Sequence, residues 1–329
     1  MSTTQSDTRY GWIAVWALMA LVVPWSLVHA GRAIQERRAA DPQGEVEIVN
    51  VSGTVEIHGW DRSEVEVGGT AGDNVVRVDV TSAGNRTSIH VVSRSAPAWG
   101  SDAEAHLIVH VPAKSAVMAT LVSADFKVTG VLGDLKVQSV NGSLTGDVGG
   151  NVRATTVSGD VRLTARAAKV IEVKTISGNI QLTGGGGEVD ITTVSGSATI
   201  ELAEVTRARF KSVSGDMTAE LALAPEGQLE GESVSGDVSV KFAAAPAAEF
   251  DVQSFSGDIR NCFGPKPMQS HYGPGSRLEF KNGEGHAHVR VNTKSGDVRL
   301  CVKGMSGGHV SMLSLARIKA MRVVVPYVY

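Results

Sequence analysis

The sequence predicts an all-β chain whose body is a β-solenoid, a parallel β-helix built from one short coil per repeat. Three observations carry that prediction. A tetrapeptide close to V-S-G-D recurs through most of the chain. Apolar and polar residues alternate with period two on both sides of it, and the repeat region has no helical periodicity. The composition agrees, because 37 glycines with only 5% aromatic residues suit many short strands joined by tight turns.

The N-terminus comes first. Trp12 to Val28 is almost entirely apolar, Arg9 precedes it, and the small-residue site Val28-His29-Ala30 follows. That layout predicts a secretory signal peptide cleaved after Ala30. The competing expectation is an uncleaved membrane tether through residues 11–28, since about 17 apolar residues is the lower limit for spanning. Either reading exports the chain to the periplasm or cell surface. Residues 31–43 read as a linker.

The repeat domain is expected over residues 44–304. Its corner glycines are Gly142, Gly159, Gly178, Gly196, Gly215, Gly236, Gly257 and Gly296, with Gly53 and Ala124 as isolated or degenerate copies. From Gly142 to Gly257 the successive differences are 17, 19, 18, 19, 21 and 21, so the coils hold about 18–21 residues. Positions seven and five before the glycine, and two and four after it, are apolar in most repeats. Each unit is therefore two short strands meeting at a Ser-Gly corner. An antiparallel meander would use Asn-Gly or Asp-Gly hairpin turns, and only Asn141-Gly142 matches. Ser or Thr recurs three residues before the glycine (Ser139, Thr156, Thr175 and on), a column of like hydroxyls that stacked coils would let bond one another.

Beyond the regular repeats, residues 74–111 read as longer alternating strands that cap one end and cover an otherwise open edge. Residues 263–278, rich in Gly and Pro, read as a loop excursion. The tail 305–329 follows no repeat. Cys262 and Cys301 each lie five past a corner glycine, so they share a column. If the interval between them is one coil with an excursion, they stack within disulfide reach; if it is two coils, they do not.

The segment from Gly44 to Asp61, followed by repeated V-S-G-D units, resembles the DUF4097 family of β-strand-repeat proteins over roughly residues 44–303. The resemblance implies a right-handed parallel β-helix and candidate adhesins. It supplies no catalytic residues to carry over.

The chemistry-bearing columns are sparse. One past the glycine, Asp216, Asp237 and Asp258 fall in consecutive repeats and would form a carboxylate ladder able to hold Ca²⁺. Asn179 and Ser197 in the same column favour ordinary turn residues instead. The outward charges six before the glycine mix both signs, as on a solvated face. His106/His110 and His286/His288 share strand faces but lack a third metal ligand. Phe126, Phe210, Phe242, Phe250 and Phe255 read as core, which leaves Trp60, Trp99 and Tyr272 as scattered exposed aromatics. A net charge of −3 gives no reason to expect nucleic acid.

The expectation is a non-enzymatic envelope or surface protein presenting a rigid solenoid for adhesion, scaffolding or protein interaction. No cofactor is expected, an envelope component or another protein is the partner, and self-association through the solenoid is open. The alternative is a polysaccharide lyase or hydrolase on a parallel β-helix, which would need carboxylates and basic groups gathered on one face.

Overall fold

The computed structural model describes residues 32–94, 104–269 and 274–304. The N-terminal apolar segment, Trp99, Tyr272 and the tail lie outside the described residues. Within them the chain is all-β and forms 23 strands in one hydrogen-bonded network. Among the described residues no helix is long and apolar enough to cross a membrane.

Each repeat is a tier: one strand, a corner at the glycine, and a second strand. The strand Val152–Ser158 pairs in parallel with Leu135–Asn141 on one side and Val170–Ser177 on the other. After the corner, Val161–Ala165 does the same with Leu144–Val148 and Ile180–Thr183. Side chains alternate in and out, so β-branched and Leu residues such as Ile171, Val173, Ile180 and Leu182 are wholly buried between the two strand layers. Each such burial contributes about 1.5–3 kcal/mol relative to exposure, and stacking joins them into one continuous core.

Glycine at the corner is a steric requirement. Gly159 has φ +140° and Gly236 has φ +148°, the left-handed region that disfavours other side chains. A Cβ on Gly159 would lie 2.0 Å from the carbonyl oxygen of Gly142, and one on Gly236 2.3 Å from that of Gly215. The corners therefore stack backbone on backbone. The hydroxyl column behind them is buried, but the hydroxyls do not bond one another. Ser212 and Ser233 donate instead to the carbonyls of Gly215 and Gly236, at 3.0 and 3.1 Å. Thr156, Thr175, Thr193 and Thr293 have no partner for Oγ1.

The order of tiers departs from the order of the chain at both ends. After the Gly236 tier the chain skips one place and builds the Gly257 tier. It returns antiparallel through Ser276–Asn282, then fills the gap with Ala287–Ser295 and Val298–Val302. The stack reads Gly236, Gly296, Gly257. The other end mirrors this: Glu45–Trp60 lies between Ala116–Val131 on its inner side and Arg86–Ser93 with Ala105–Pro112 on its outer side. Antiparallel strands then finish each end, Val75–Ala83, Glu64–Ala71 and Arg32–Ala39 at one, Ser276–Asn282 and Met268–Gln269 at the other.

The C-terminal exchange changes which outward charges are neighbours. Direct succession would set Glu230 beside Asp251, two like charges. In the observed order Arg290 separates them, in register with both and 3.8 Å from Asp251.

Three readings change accordingly. Asp216, Asp237 and Asp258 are not three successive rungs, because Asp297 enters between Asp237 and Asp258. Residues 31–43 are not all linker, since Arg32–Ala39 is an edge strand whose charged side chains blunt that edge. The excursion 263–278 is not loop throughout: it carries Met268–Gln269 and the start of Ser276–Asn282. Inside that end, Phe263 and Phe280 pack on Phe250, the Phe250 and Phe280 rings stacked at 4.4 Å.

Candidate interaction surface

The tiers put like positions in columns, so each outward position becomes a line along the stack. The residue two before the corner glycine is the first of these. Because the position three before it points inward, parity turns this one outward, yet it is apolar in nearly every tier. Val51, Val122, Val140, Val157, Ile176, Val194, Val213 and Val234 are 41–52% exposed, and Phe255 at the far end is 74% exposed. Lys294 is the only polar residue in the line, between Val234 and Phe255. The result is a ridge of eight exposed apolar side chains on adjacent tiers, with Phe255 as a ninth beyond Lys294. The sequence carried the signal, since parity from the buried columns points the valine of V-S-G-D outward; reading it only as part of the motif hides that. Phe255, expected in the core, belongs to this ridge because it occupies the same outward position.

Beside the ridge, one residue past the glycine, runs a ladder of side-chain acceptors. Asp216 Oδ1 accepts the backbone N–H of Asp237 at 2.9 Å, Asp237 Oδ1 that of Asp297 at 2.8 Å, and Asp297 Oδ1 that of Asp258 at 2.9 Å. Asp160 and Asn179 make the same bond to the next tier. The column thus stitches tiers together, which explains why Asp and Asn both serve: each offers Oδ1. Hydrogen bonding to the Asn179 backbone, then the Arg162 guanidinium, holds the Asp160 carboxyl below its ordinary range. The structure brings Asp216, Asp237, Asp297 and Asp258 into one line. Among the described residues no group of His, Cys, Asp or Glu is arranged to hold a metal ion. Asp258 ends the ladder, its carboxylate without a side-chain partner among the described residues, beside a cleft of about 350 Å³ lined in part by Gln269 and Ser276.

The remaining outward charges pair across tiers. Arg153 and Lys174 flank Glu172, whose carboxyl is lowered first by its hydrogen bond to Lys174. Arg209 meets Asp190 and Glu230, and Lys211 meets Glu232. A groove of about 670 Å³ along this face is lined by Arg209, Glu230, Asp251, Glu279, His288 and Arg290 among others. Five of these lie in ion pairs, and His288 lies 3.6 Å from Glu249. Surface pairs of this kind contribute little each, and none aims a free acid and base at a common point.

The histidines behave likewise. His106 contacts Thr54 and Glu104, and His288 contacts Glu249. His110 stacks between Trp60, at 4.9 Å, and His58, at 5.4 Å, while the Arg62 guanidinium covers the Trp60 ring. His58 Nδ1 bonds Thr129 Oγ1 at 2.8 Å.

Cys262 and Cys301 are joined by a disulfide, with Cα atoms 4.8 Å apart, the ordinary distance between paired strands. The later cysteine lies in the inner tier, the earlier one in the outer tier. The bond closes the base of the excursion that carries the terminal strands.

The family model for Toastrack DUF4097 matches residues 44–301. The chain belongs to the DUF4097 family. No curated protein matches this DUF4097 chain. Among solved structures, it is similar to a candidate lipid-binding protein from Parabacteroides distasonis, with 13% identity and a TM-score of 0.41. That match covers 82% of this chain and 97% of the other. It is also similar to a candidate adhesin from Bacteroides fragilis, with 10% identity, TM-score 0.40 and the same coverage. A candidate cell adhesion protein from Clostridium sporogenes matches at 9% identity and TM-score 0.23, over 83% of this chain and all of its own.

Proposed function

We propose that this DUF4097 protein is a non-enzymatic envelope or surface protein. In this reading it presents a rigid, right-handed parallel β-helix of about 18–21-residue coils for adhesion, scaffolding or protein interaction. The observation that carries this reading is the exposed apolar ridge, eight adjacent tiers long with Phe255 beyond Lys294. Soluble monomers rarely expose a long contiguous apolar line, and where they do it marks a contact surface. The stacked scaffold keeps that line straight and fixes its spacing, so binding would pay little ordering cost. The disulfide supports an oxidising compartment, as does an exported N-terminus, whether residues 1–30 are removed or 11–28 stay as a tether.

The test is adhesion of particles coated with the protein to cells and extracellular matrix. Val194→Glu with Val213→Glu places two charges on exposed positions, so the fold is retained by circular dichroism while adhesion falls several-fold. Equal adhesion by the double variant would sink the reading. Release of reducing ends from a panel of acidic and neutral polysaccharides would overturn it in favour of an enzyme.

A further inference from the structure

The ridge lies beside a line of negative charge, and that combination selects its occupant. A second copy would bring its own Asp216, Asp237, Asp297 and Asp258 to the same contact, where like charges repel. The complementary partner is apolar, basic and free of acids. One segment of this chain has that character. Met305–Tyr329 contains Arg317, Lys319 and Arg322, no Asp or Glu, and a run of apolar residues that includes Val323-Val324-Val325. It begins next to Gly304, after the strand Val298–Val302, in the tier of Asp297 and beside that of Asp258. The chain therefore leaves the fold in the acid-rich tiers, at the far end of the second strand, seven residues and roughly 20 Å along the strand from Asp297. Its length suffices: 25 residues extend to about 80 Å, against roughly 20 Å back to the corner and about 43 Å for nine steps of ~4.8 Å along the ridge.

We propose that Met305–Tyr329 lies along the valine ridge, its apolar side chains against Val194, Val213 and Val234 and its basic side chains against the aspartate ladder. The tail then shields the surface that the proposed function uses, so external partners compete with it. This inference rests on the ridge being a contact surface, but it fails separately. A ridge that mediates adhesion with equal strength in the full chain and in a chain ending at Gly304 keeps the function and removes the shield.

The direct experiment is photo-crosslinking of the full chain with p-benzoylphenylalanine at the exposed position of Val213, in an equal mixture of ¹⁴N and ¹⁵N protein. The expected product joins residue 213 to a peptide within 305–329 of the same chain. Charge reversal by Arg317→Glu, Lys319→Glu and Arg322→Glu lowers that yield several-fold with no change in thermal midpoint. Crosslinks only to the ridge of a differently labelled chain would assign the surface to a second copy and overturn the proposal. So would the absence of tail peptides, or a yield insensitive to the charge reversal.

Discussion

The backbone N–H of Asp297 bonds the carboxylate of Asp237 at 2.8 Å, although 60 residues of chain separate them. Asp258, only 21 residues past Asp237, bonds Asp297 instead. The terminal tiers are thus interleaved, and the last repeat to be synthesised completes the layer beneath the one before it. Such an arrangement ties the chain end into the body of the stack. It also makes the outermost tier dependent on a tier made after it.

That relationship gives the first prediction. Asp237→Ala removes the acceptor and leaves the Asp297 N–H unpaired at the junction. A loss of about 1 kcal/mol is expected. Asp237→Asn keeps Oδ1 and stays near the parent stability, as Asn179 does in its own tier. Urea denaturation of the two variants checks this, and equal destabilisation by both would show that charge, not the bond, matters there.

The corner column predicts a larger effect. Gly236→Ala forces a Cβ to within 2.3 Å of the Gly215 carbonyl at a φ of +148°. Strain of about 1–3 kcal/mol from the backbone conformation alone, plus the overlap, spreads through neighbouring tiers because they stack without slack. The same change at Gly84, which has open space around it, leaves only the backbone term. Thermal unfolding midpoints of the two variants compare a crowded corner at φ +148° with an open turn at φ +61°.

Much of the fold is legible in the sequence because the corner and inward columns obey hard rules. Ile171, Val173 and Ile191 fall inside by parity alone, and the two cysteines share a column by counting. The order of tiers is not legible in the same way. Gly236, Gly257 and Gly296 sit in nearly identical local sequence, so any permutation of those tiers buries the same apolar residues. The variable positions differ between the arrangements, as the outward Glu230, Arg290 and Asp251 and the inward Gly231, Val291 and Val252 show. The exposed ridge was within reach of the same parity argument, but its valines recur with the corner and are easily counted as part of it.

The charge order can be tested directly. Arg290→Glu sets four acidic side chains in a row, with Glu230 on one side and Asp251 and Glu279 on the other. It lowers stability by roughly 0.2–1 kcal/mol for each like-charge contact created. Raised salt reduces the deficit because these side chains face solvent. Adding Asp251→Arg to that variant restores opposite-sign contacts, because position 251 lies in register with 290 on one side and with Glu279 on the other. A deficit that salt leaves unchanged would point to packing rather than to charge.

The carboxyls set the acid limb of stability. Asp160 and Glu172 titrate lower in the folded chain than in the unfolded one, through hydrogen bonds from the Asn179 backbone and from Lys174 respectively. Their contribution is complete above the ordinary carboxylate range and is lost as pH falls through the depressed folded values. Lys174, raised by its bond to Glu172, acts in the opposite sense and loses its contribution as pH rises through its raised folded value, beyond the ordinary lysine range. Thermal midpoints between neutral and strongly acid pH should fall less steeply for Glu172→Gln than for the parent. An identical acid slope would remove Glu172 from the account.

The disulfide offers the strongest single lever. It spans 39 residues of sequence and ties the outer Gly257 tier to the Gly296 tier beneath it. Closing a loop of that length restricts the unfolded chain by about 4 kcal/mol in the chain-entropy account. Reduction therefore lowers the denaturation midpoint markedly, and Cys262→Ser with Cys301→Ser does so without reductant. The loosening should begin at the capped end, because Ile259–Asn261 makes only a short pairing with Val298–Val302 once the covalent tie is gone. Hydrogen exchange locates it: amides of residues 248–262 and 276–282 lose protection first, while those of Val152–Ser158 and Val170–Ser177 in the middle of the stack keep theirs. Uniform loss across all tiers would instead show that the stack unfolds as one unit and that its end is no weaker than its centre.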